Sequence, residues 1–180
     1  TDHSQSIKEW KDWILKNMID ERGLLYSNIN KKNNKPGEEA RGCALAYSII
    51  FINMFDKELA DKLYSNFRRH FFKEVSGFYL AREWITEGHK SDIDSGPILF
   101  GAGPVASALS IGTSKICNDP YLFESLSFAA EATTLPYETW SKKGYLLNVS
   151  LGEAVLLFCR TLRPWTEQTD KYKLQESVTK

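Results

Sequence analysis

The chain has few of the residues that build covalent or metal-linked scaffolds. Three cysteines and three histidines are spread over 180 residues, without a CxxC pair or a metal-ligand spacing. An odd number of cysteines in apolar surroundings argues against a disulfide framework or a zinc site. Cys43, Cys117 and Cys159 are therefore expected to be buried free thiols. The sequence predicts no metal ion and no cofactor.

The chain also lacks an excess of either charge and a long apolar run. Its 23 basic and 23 acidic residues cancel, and without a Lys/Arg stripe nothing supports nucleic acid binding through phosphates. No segment approaches the roughly 18 uninterrupted apolar residues of a transmembrane helix, so no transmembrane segment is expected. The first residue is Thr1 rather than Met, so the missing targeting signal leaves the localisation unknown.

The composition that remains is that of a folded globular protein. Hydrophobic residues make up 42% of the chain and aromatic residues 13%, which is enough apolar material for a core in a chain of this length. We expect a single domain over residues 1–165, followed by a polar tail over residues 166–180.

Apolar periodicity predicts six helices of two kinds. Helices over residues 4–18, 57–75 and 120–134 are amphipathic, and Asp56 and Asp119 precede the second and third as N-caps. The other three begin near residue 38, after residue 95 and at residue 152, and they are apolar or rich in Ala, Gly and Ser. Since small residues let helix backbones approach closely, these three are predicted to form an inner layer inside the amphipathic ones.

Glycines mark a repeat of this helix pair. Short β-like pieces that begin with glycine lie at residues 23–30, 77–85 and 144–150. Gly23 and Gly77 are 54 residues apart, as are Gly42 and Gly96 before the second and fourth helices, and Gly152 follows 56 residues later. A fixed period of this size is typical of a repeat architecture.

Three helix pairs with polar turns that lead into the inner helices resemble the six-hairpin (α/α)6 toroid superfamily. The segments "RGCALAYSIIF", "REW" and "DIDSGPILFGAG" carry the resemblance. The superfamily includes glycoside hydrolases, polysaccharide lyases and linalool dehydratase-isomerase, and the similarity is to its bacterial members. It implies an all-α fold in which three α-hairpins form half a barrel, with short β excursions in the loops. Because a closed toroid has six hairpins, it also implies self-association or the remainder of a longer chain.

The resemblance places the functional site at one end of the inner helices, in the turns that feed them. Carboxylates at Asp92 and Asp94 are the predicted catalytic residues. The predicted substrate-binding residues are Glu39, Arg41, Arg82, Glu83 and Trp84. All are expected to converge on one end of the inner layer.

Asp92 and Asp94 have a functional and a structural interpretation. In an extended chain residues two apart point to the same side with Cα atoms about 6.5–7 Å apart, between the carboxylate spacings of retaining and inverting glycosidases. Crowding would raise the pKa of one acid, as a general acid requires. Alternatively, Asp94 or Ser95 caps a helix that has Pro97 in its first turn. The two roles are compatible.

Arg41 and Trp84 also have two possible interpretations each. A cation near a helix N-terminus opposes the helix dipole, so Arg41 should have an acidic partner, either in a structural pair or in a substrate clamp. Alternation in "AREWI" puts Arg82 and Trp84 on one face of a strand and Glu83 on the other. Trp84 could stack on a sugar ring or belong to the core.

The sequence therefore leads to three hypotheses on function. The first is a glycosidase- or lyase-like protein of the toroid class that acts on a carbohydrate through acid–base carboxylates. The second is a non-catalytic half-toroid that binds a ligand or a partner protein. The third is a hydro-lyase that acts on a small apolar alcohol. All three depend partly on the resemblance, because fold does not fix function.

Overall fold

Capping residues and apolar stripes produce a mainly helical chain in the computed structural model, which describes residues 3–86, 89, 101–134, 136–139, 143–145 and 150–163. The helices are α1 (Ser4–Asn17), α2 (Gly42–Ile52), α3 (Lys57–Phe71), α4 (Pro104–Ile116), α5 (Pro120–Thr134) and α6 (Ser150–Thr161). Three antiparallel strand pairs join β1 (Ile29–Asn30) to β2 (Lys35–Pro36), β3 (Phe72–Val75) to β4 (Phe78–Ala81), and β5 (Pro136–Glu138) to β6 (Lys143–Tyr145). The prediction of a helical chain with short β segments is confirmed.

Two of the predicted helix starts are confirmed by side-chain caps. The Leu59 amide donates to the Asp56 carboxylate at 2.9 Å, and the Leu122 amide donates to Asp119 at 3.0 Å. Each bond satisfies a backbone donor that has no partner inside the helix. The predicted apolar stripe of α3 is also buried, from Leu59 to Phe71.

The predicted starts of α2 and α4 are wrong. α2 begins at Gly42, not near Glu38, because Arg41 is extended and forms a β-bridge with Trp84. α4 begins at Pro104 with Gly103 as its N-cap residue, and not after Ser95 as predicted. The glycine directly before α4 is therefore Gly103. Asp94, Ser95, Gly96 and Pro97, where the sequence placed the cap and the first turn, lie outside the described residues.

The end of α3 also differs from the prediction. The helix stops at Phe71, and the residues expected to continue it form β3, which pairs with β4 in the register Phe72 to Ala81. The turn between the strands contains Ser76 and Gly77, both with positive φ. Gly23, which lies 54 residues before Gly77, has positive φ as well. The 54-residue spacing of Gly23 and Gly77 thus corresponds to two glycines with the same backbone conformation.

α4 lies at the centre of the described part of the chain and packs against α2, α5 and α6, while α3 packs against α2. The buried residues Gly112 and Thr113 allow close approach. A Cβ added to Gly112 would lie 2.7 Å from Leu162 Cδ1, and the Thr113 hydroxyl donates to the Ala46 carbonyl at 2.9 Å. These contacts support the prediction that small residues serve helix packing.

Three further features bear on function. Cys43 and Cys159 are buried and Cys117 is half-buried, and all three are free thiols as predicted. α1 has no buried residue, although Met18, which follows the helix and ends its predicted apolar stripe, is buried. Among the described residues no helix has both the length and the apolar character needed to cross a membrane.

Candidate functional site

The extension of β4 runs between the starts of α2 and α4. Past the strand, Arg82 forms a β-bridge with Ala102 and Trp84 forms one with Arg41. The Gly42 amide donates to the Glu83 carbonyl at 2.8 Å, and the Gly103 amide donates to the Ala81 carbonyl at 2.9 Å. A Cβ on Gly42 would lie 2.0 Å from the Arg82 carbonyl oxygen. These backbone contacts fix Glu83 between two helix N-termini.

The Glu83 carboxylate is the centre of this arrangement. Its side chain is 0% exposed and that of Arg41 is 13% exposed. Glu83 Oε1 accepts a hydrogen bond from Arg41 Nε at 2.5 Å and another from Cys43 Sγ at 2.9 Å. Glu83 is thus the acidic partner that the position of Arg41 predicted. A charge-assisted bond of this kind stabilises a buried carboxylate, which would be costly without it.

The second carboxylate oxygen of Glu83 is not satisfied. Glu83 Oε2 is buried and has no hydrogen-bond partner among the described residues. It lies against the start of α4, where a Cβ on Gly103 would be only 2.7 Å away. Buried carboxylate oxygens without a partner are rare and costly, so each requires an explanation. At this position Oε2 has an unused capacity to accept a hydrogen bond.

Cys43 is held as a neutral thiol. Burial is the main cause of a raised pKa at Cys43, and together with the hydrogen bond to Glu83 and the charge of that carboxylate it brings the pKa to about 12. The thiol therefore keeps its proton at neutral pH and acts as a donor to Glu83 Oε1. A thiolate here would face the Glu83 carboxylate directly, which like-charge repulsion disfavours.

A second cluster lies on the solvent side of this pair. The Trp84 and His89 rings stack with centroids 4.1 Å apart and planes 12° from parallel, and the Arg41 guanidinium carbon lies 5.3 Å from the Trp84 ring centre. His89 Nε2 is 3.0 Å from Glu39 Oε1, and the Thr86 hydroxyl donates to the same oxygen. This cluster connects a mixed aromatic and polar surface to the buried Glu83.

The structure therefore brings together most of the predicted substrate-binding residues. Arg41 contacts both Glu83 and Trp84, and Glu39 reaches Trp84 through His89. Arg82 belongs to the same segment through its backbone bridge. Glu38 does not join this cluster, since its carboxylate accepts a hydrogen bond from Asn28 near the exposed β1–β2 hairpin. The predicted catalytic residues Asp92 and Asp94 lie outside the described residues.

Sequence reasoning missed Cys43, Thr86 and His89 as members of this cluster. Cys43 occupies the first turn of α2 and reaches Glu83, which is 40 residues away in the chain. No local pattern carries that information. The sequence gives only a weak indication for His89, which lies five residues beyond Trp84 and three before Asp92.

The surroundings limit what the cluster can bind. Within the described ranges no group of three His, Cys, Asp or Glu side chains is arranged to hold a metal ion. Two shallow pockets in those ranges lie elsewhere. One, of about 540 Å³, is lined by Met18, Ser27, Asn28, Ile29, Lys31 and Asn34. The other, of about 480 Å³, is lined by Gly77, Phe78, Tyr121, Glu124, Ser125 and Phe128. Glu83 is thus an enclosed group and not the floor of either pocket.

Comparison with known proteins adds no assignment to this geometry. No protein family model matches the chain, and no curated protein matches it significantly.

Proposed function

We propose that the chain is half of an α/α toroid whose site lies where α2 and α4 begin. Three observations support this arrangement. α4 packs between α2 and α6, α3 and α5 pack against α2 and α4, and a strand pair precedes each of α2, α4 and α6 in the chain. Outer helices, a β excursion and an inner helix in that order constitute the toroid repeat suggested by the sequence.

Within that fold, the protein is a glycosidase- or lyase-like enzyme that acts on a carbohydrate by acid–base catalysis. The observation that supports this function is Glu83 Oε2, a buried carboxylate oxygen without a hydrogen-bond partner in the described part of the chain. A carboxylate in such surroundings can hold or release a proton during a reaction. Arg41 and Cys43 fix its other oxygen, so the orientation of the group is set before substrate binds.

The remaining residues take the roles that the sequence suggested for them. Asp92 or Asp94 supplies the second carboxylate that glycoside hydrolysis requires. Trp84 and His89, whose rings stack on each other, are the aromatic residues assigned to the sugar site. Glu39 and Arg82 bind substrate hydroxyls near the entrance. Arg41 holds Glu83 and serves as a positioning residue.

Complete burial of Glu83 favours one second candidate. A polymer needs an open cleft, whereas a 0% exposed carboxylate beside a neutral thiol suits a small substrate in an enclosed site. The second candidate is therefore a hydro-lyase that removes water from a small apolar alcohol. In that reaction Glu83 or an aspartate protonates the leaving hydroxyl, the C–O bond breaks, and a base removes the proton from the adjacent carbon.

Substrate screening with matched variants tests both candidates. Wild type, Glu83→Gln, Asp92→Asn and Asp94→Asn are assayed on oligosaccharides and on small tertiary and allylic alcohols, with Lys62→Met on the exposed face of α3 as the control. We expect activity on one of the two classes and a loss of about a hundredfold or more in Glu83→Gln and in at least one Asn variant. Melting temperature is measured for every protein. Equal turnover in all five proteins would contradict acid–base catalysis by these residues, and the absence of turnover with ligand-induced stabilisation would favour a non-catalytic binding protein.

A further inference from the structure

A shallow cleft lies between the β3–β4 hairpin and α5, at the end of β4 away from Glu83. Its volume of about 480 Å³ is in the range of small-molecule sites, about 300–1,000 Å³. Tyr121, Glu124 and Phe128 recur along α5 at spacings of three and four, so they lie on one face of the helix. Phe78 of β4 stacks on Phe128, with ring centroids 5.4 Å apart and planes 14° from parallel. Three aromatic side chains and one carboxylate thus line the cleft.

The carboxylate of this cleft has no internal counter-ion. Glu124 is exposed and forms no ion pair within the ranges that the structure describes. The other acid of α5 differs, since Glu131 pairs with Arg160 at 3.0 Å. None of the side chains that line the cleft is basic. The cleft therefore combines a negative charge with aromatic rings, whose faces attract cations.

The same hairpin already binds one cation of the chain by this chemistry. The Arg68 guanidinium carbon lies 5.6 Å from the Phe72 ring centre and 5.0 Å from the Tyr79 ring centre. Arg68 Nε is also 3.2 Å from Asp119 Oδ2, just before α5. Two rings of the strand pair and one acid thus hold a guanidinium. The cleft repeats these components five residues further along the chain, with Glu124 as the acid, but its lining contains no basic side chain.

We propose that this cleft binds a small molecule that carries an alkylated ammonium group. The ring faces and the Glu124 carboxylate both attract such a cation. Alkyl substituents suit the lining better than N–H donors, because the Ser125 hydroxyl already accepts a hydrogen bond from the Tyr79 amide at 3.1 Å. A guanidinium would bring five donors to a site with few acceptors. The cleft contains none of the residues assigned to catalysis, so its ligand goes beyond the function proposed above.

The test is titration of isotope-labelled protein with choline and with dimethylbutanol, in which a carbon replaces the charged nitrogen of choline, followed by NMR. We expect choline to shift the amide signals of Phe78, Glu124 and Phe128, and the neutral alcohol to bind at least about fivefold more weakly. Glu124→Gln removes the charge and Phe128→Leu removes a ring, so each should raise the dissociation constant for choline about two- to fivefold. Glu58→Gln, on the exposed face of α3, is the matched control and should bind choline as wild type does.

Three results would overturn the proposal. Equal binding of choline and the neutral alcohol would show an apolar groove without preference for a cation. Unchanged choline binding in both Glu124→Gln and Phe128→Leu would place the ligand elsewhere on the chain. The absence of amide shifts at about 10 mM choline would exclude a specific site. Phe128 is 59% exposed and Glu124 is exposed as well, so both variants should fold, and circular dichroism verifies this. Because no turnover is measured, a failure here leaves the catalytic proposal to its own test.

Discussion

The buried pair of Arg41 and Glu83 allows a quantitative test of how the site is held. Arg41→Met keeps much of the side-chain volume but removes the charge from a carboxylate that is 0% exposed. Removing one partner of a buried pair costs about 3–5 kcal/mol, because the other charge is left uncompensated. For a chain of this length that corresponds to a fall in melting temperature of about 6–20 °C.

Substitution of the other partner, Glu83, should lower the free energy of unfolding by less. Glu83→Gln retains an oxygen that can accept from Arg41 and Cys43, and the Arg41 side chain, 13% exposed, can turn toward water. We expect a loss of about 1–2 kcal/mol in the free energy of unfolding. In the double variant neither charge remains, so the loss should be smaller than the sum of the two single losses. The expected coupling energy is about 1–3 kcal/mol.

The assay is urea unfolding followed by circular dichroism for wild type, both single variants and the double variant at one pH and salt concentration. Lys62→Met is the matched control, since Lys62 pairs with Glu58 on an exposed helix face, 70% and 74% exposed. That control should not change stability measurably. An Arg41→Met loss of less than about 1 kcal/mol, with no coupling to Glu83→Gln, would refute the claim that Arg41 neutralises Glu83.

The remaining predictions concern the thiols and the cap of α5. Burial chiefly raises the pKa of Cys43 and Cys117 to about 12 and that of Cys159 to about 11, from an ordinary value of 9.0. Native protein at pH 8 should therefore resist alkylation that labels all three thiols in urea. Because these pKa values are raised on folding, the folded state holds the protons longer. The contribution of the thiols to stability should therefore be constant below pH 9 and fall as pH rises toward 12; a pH-independent stability between pH 9 and 12 would contradict this. At Asp119, burial by itself would raise the pKa, but bonds from the Leu122 amide, Tyr64 and Arg68 together lower it. Its contribution to stability should be complete above its ordinary pKa of 3.8 and be lost as pH falls through the lower folded value. Asp119→Ala should cost about 2 kcal/mol and Asp119→Asn clearly less, because Asn still caps the helix; equal losses in the two variants, measured by thermal unfolding, would remove the cap from the explanation.

Local signals predicted those elements whose causes are local. Asp56 and Asp119 cap helices through bonds to amides three residues away, so both starts could be read from sequence. α2 and α4 start later than periodicity indicates, because Gly42 and Gly103 donate their amides to the distant segment 81–83. β3 was missed for the same reason, since its pairing with β4 overrides an apolar pattern that also fits a helix.

The members of the cluster around Glu83 could be predicted from the sequence, but their arrangement could not. The turns before the inner helices supplied Glu39, Arg41, Glu83 and Trp84, and the dipole argument required an acidic partner for Arg41. The sequence could not show that Glu83 is the buried centre of the cluster. Its burial depends on contacts from two helices that lie more than 15 residues away in the chain, one before it and one after it. Local alternation indicated only that its side chain points away from Trp84.

The position of Glu83 between two helix starts raises the question of which charge holds it. Its Oε1 meets Cys43 in the first turn of α2, and its Oε2 lies against Gly103, the N-cap residue of α4. Helix N-termini carry partial positive charge, but each stabilises a nearby anion by only about 0.3–1 kcal/mol, or up to about 2 kcal/mol when partly buried. Two such ends do not match the several kcal/mol lost when a buried ion loses its partner. Arg41 must therefore supply most of the compensation, while the helix ends explain why Oε2 can stay unpaired. Arg41 thus binds one oxygen of Glu83, and the dipole of α4 acts on the other.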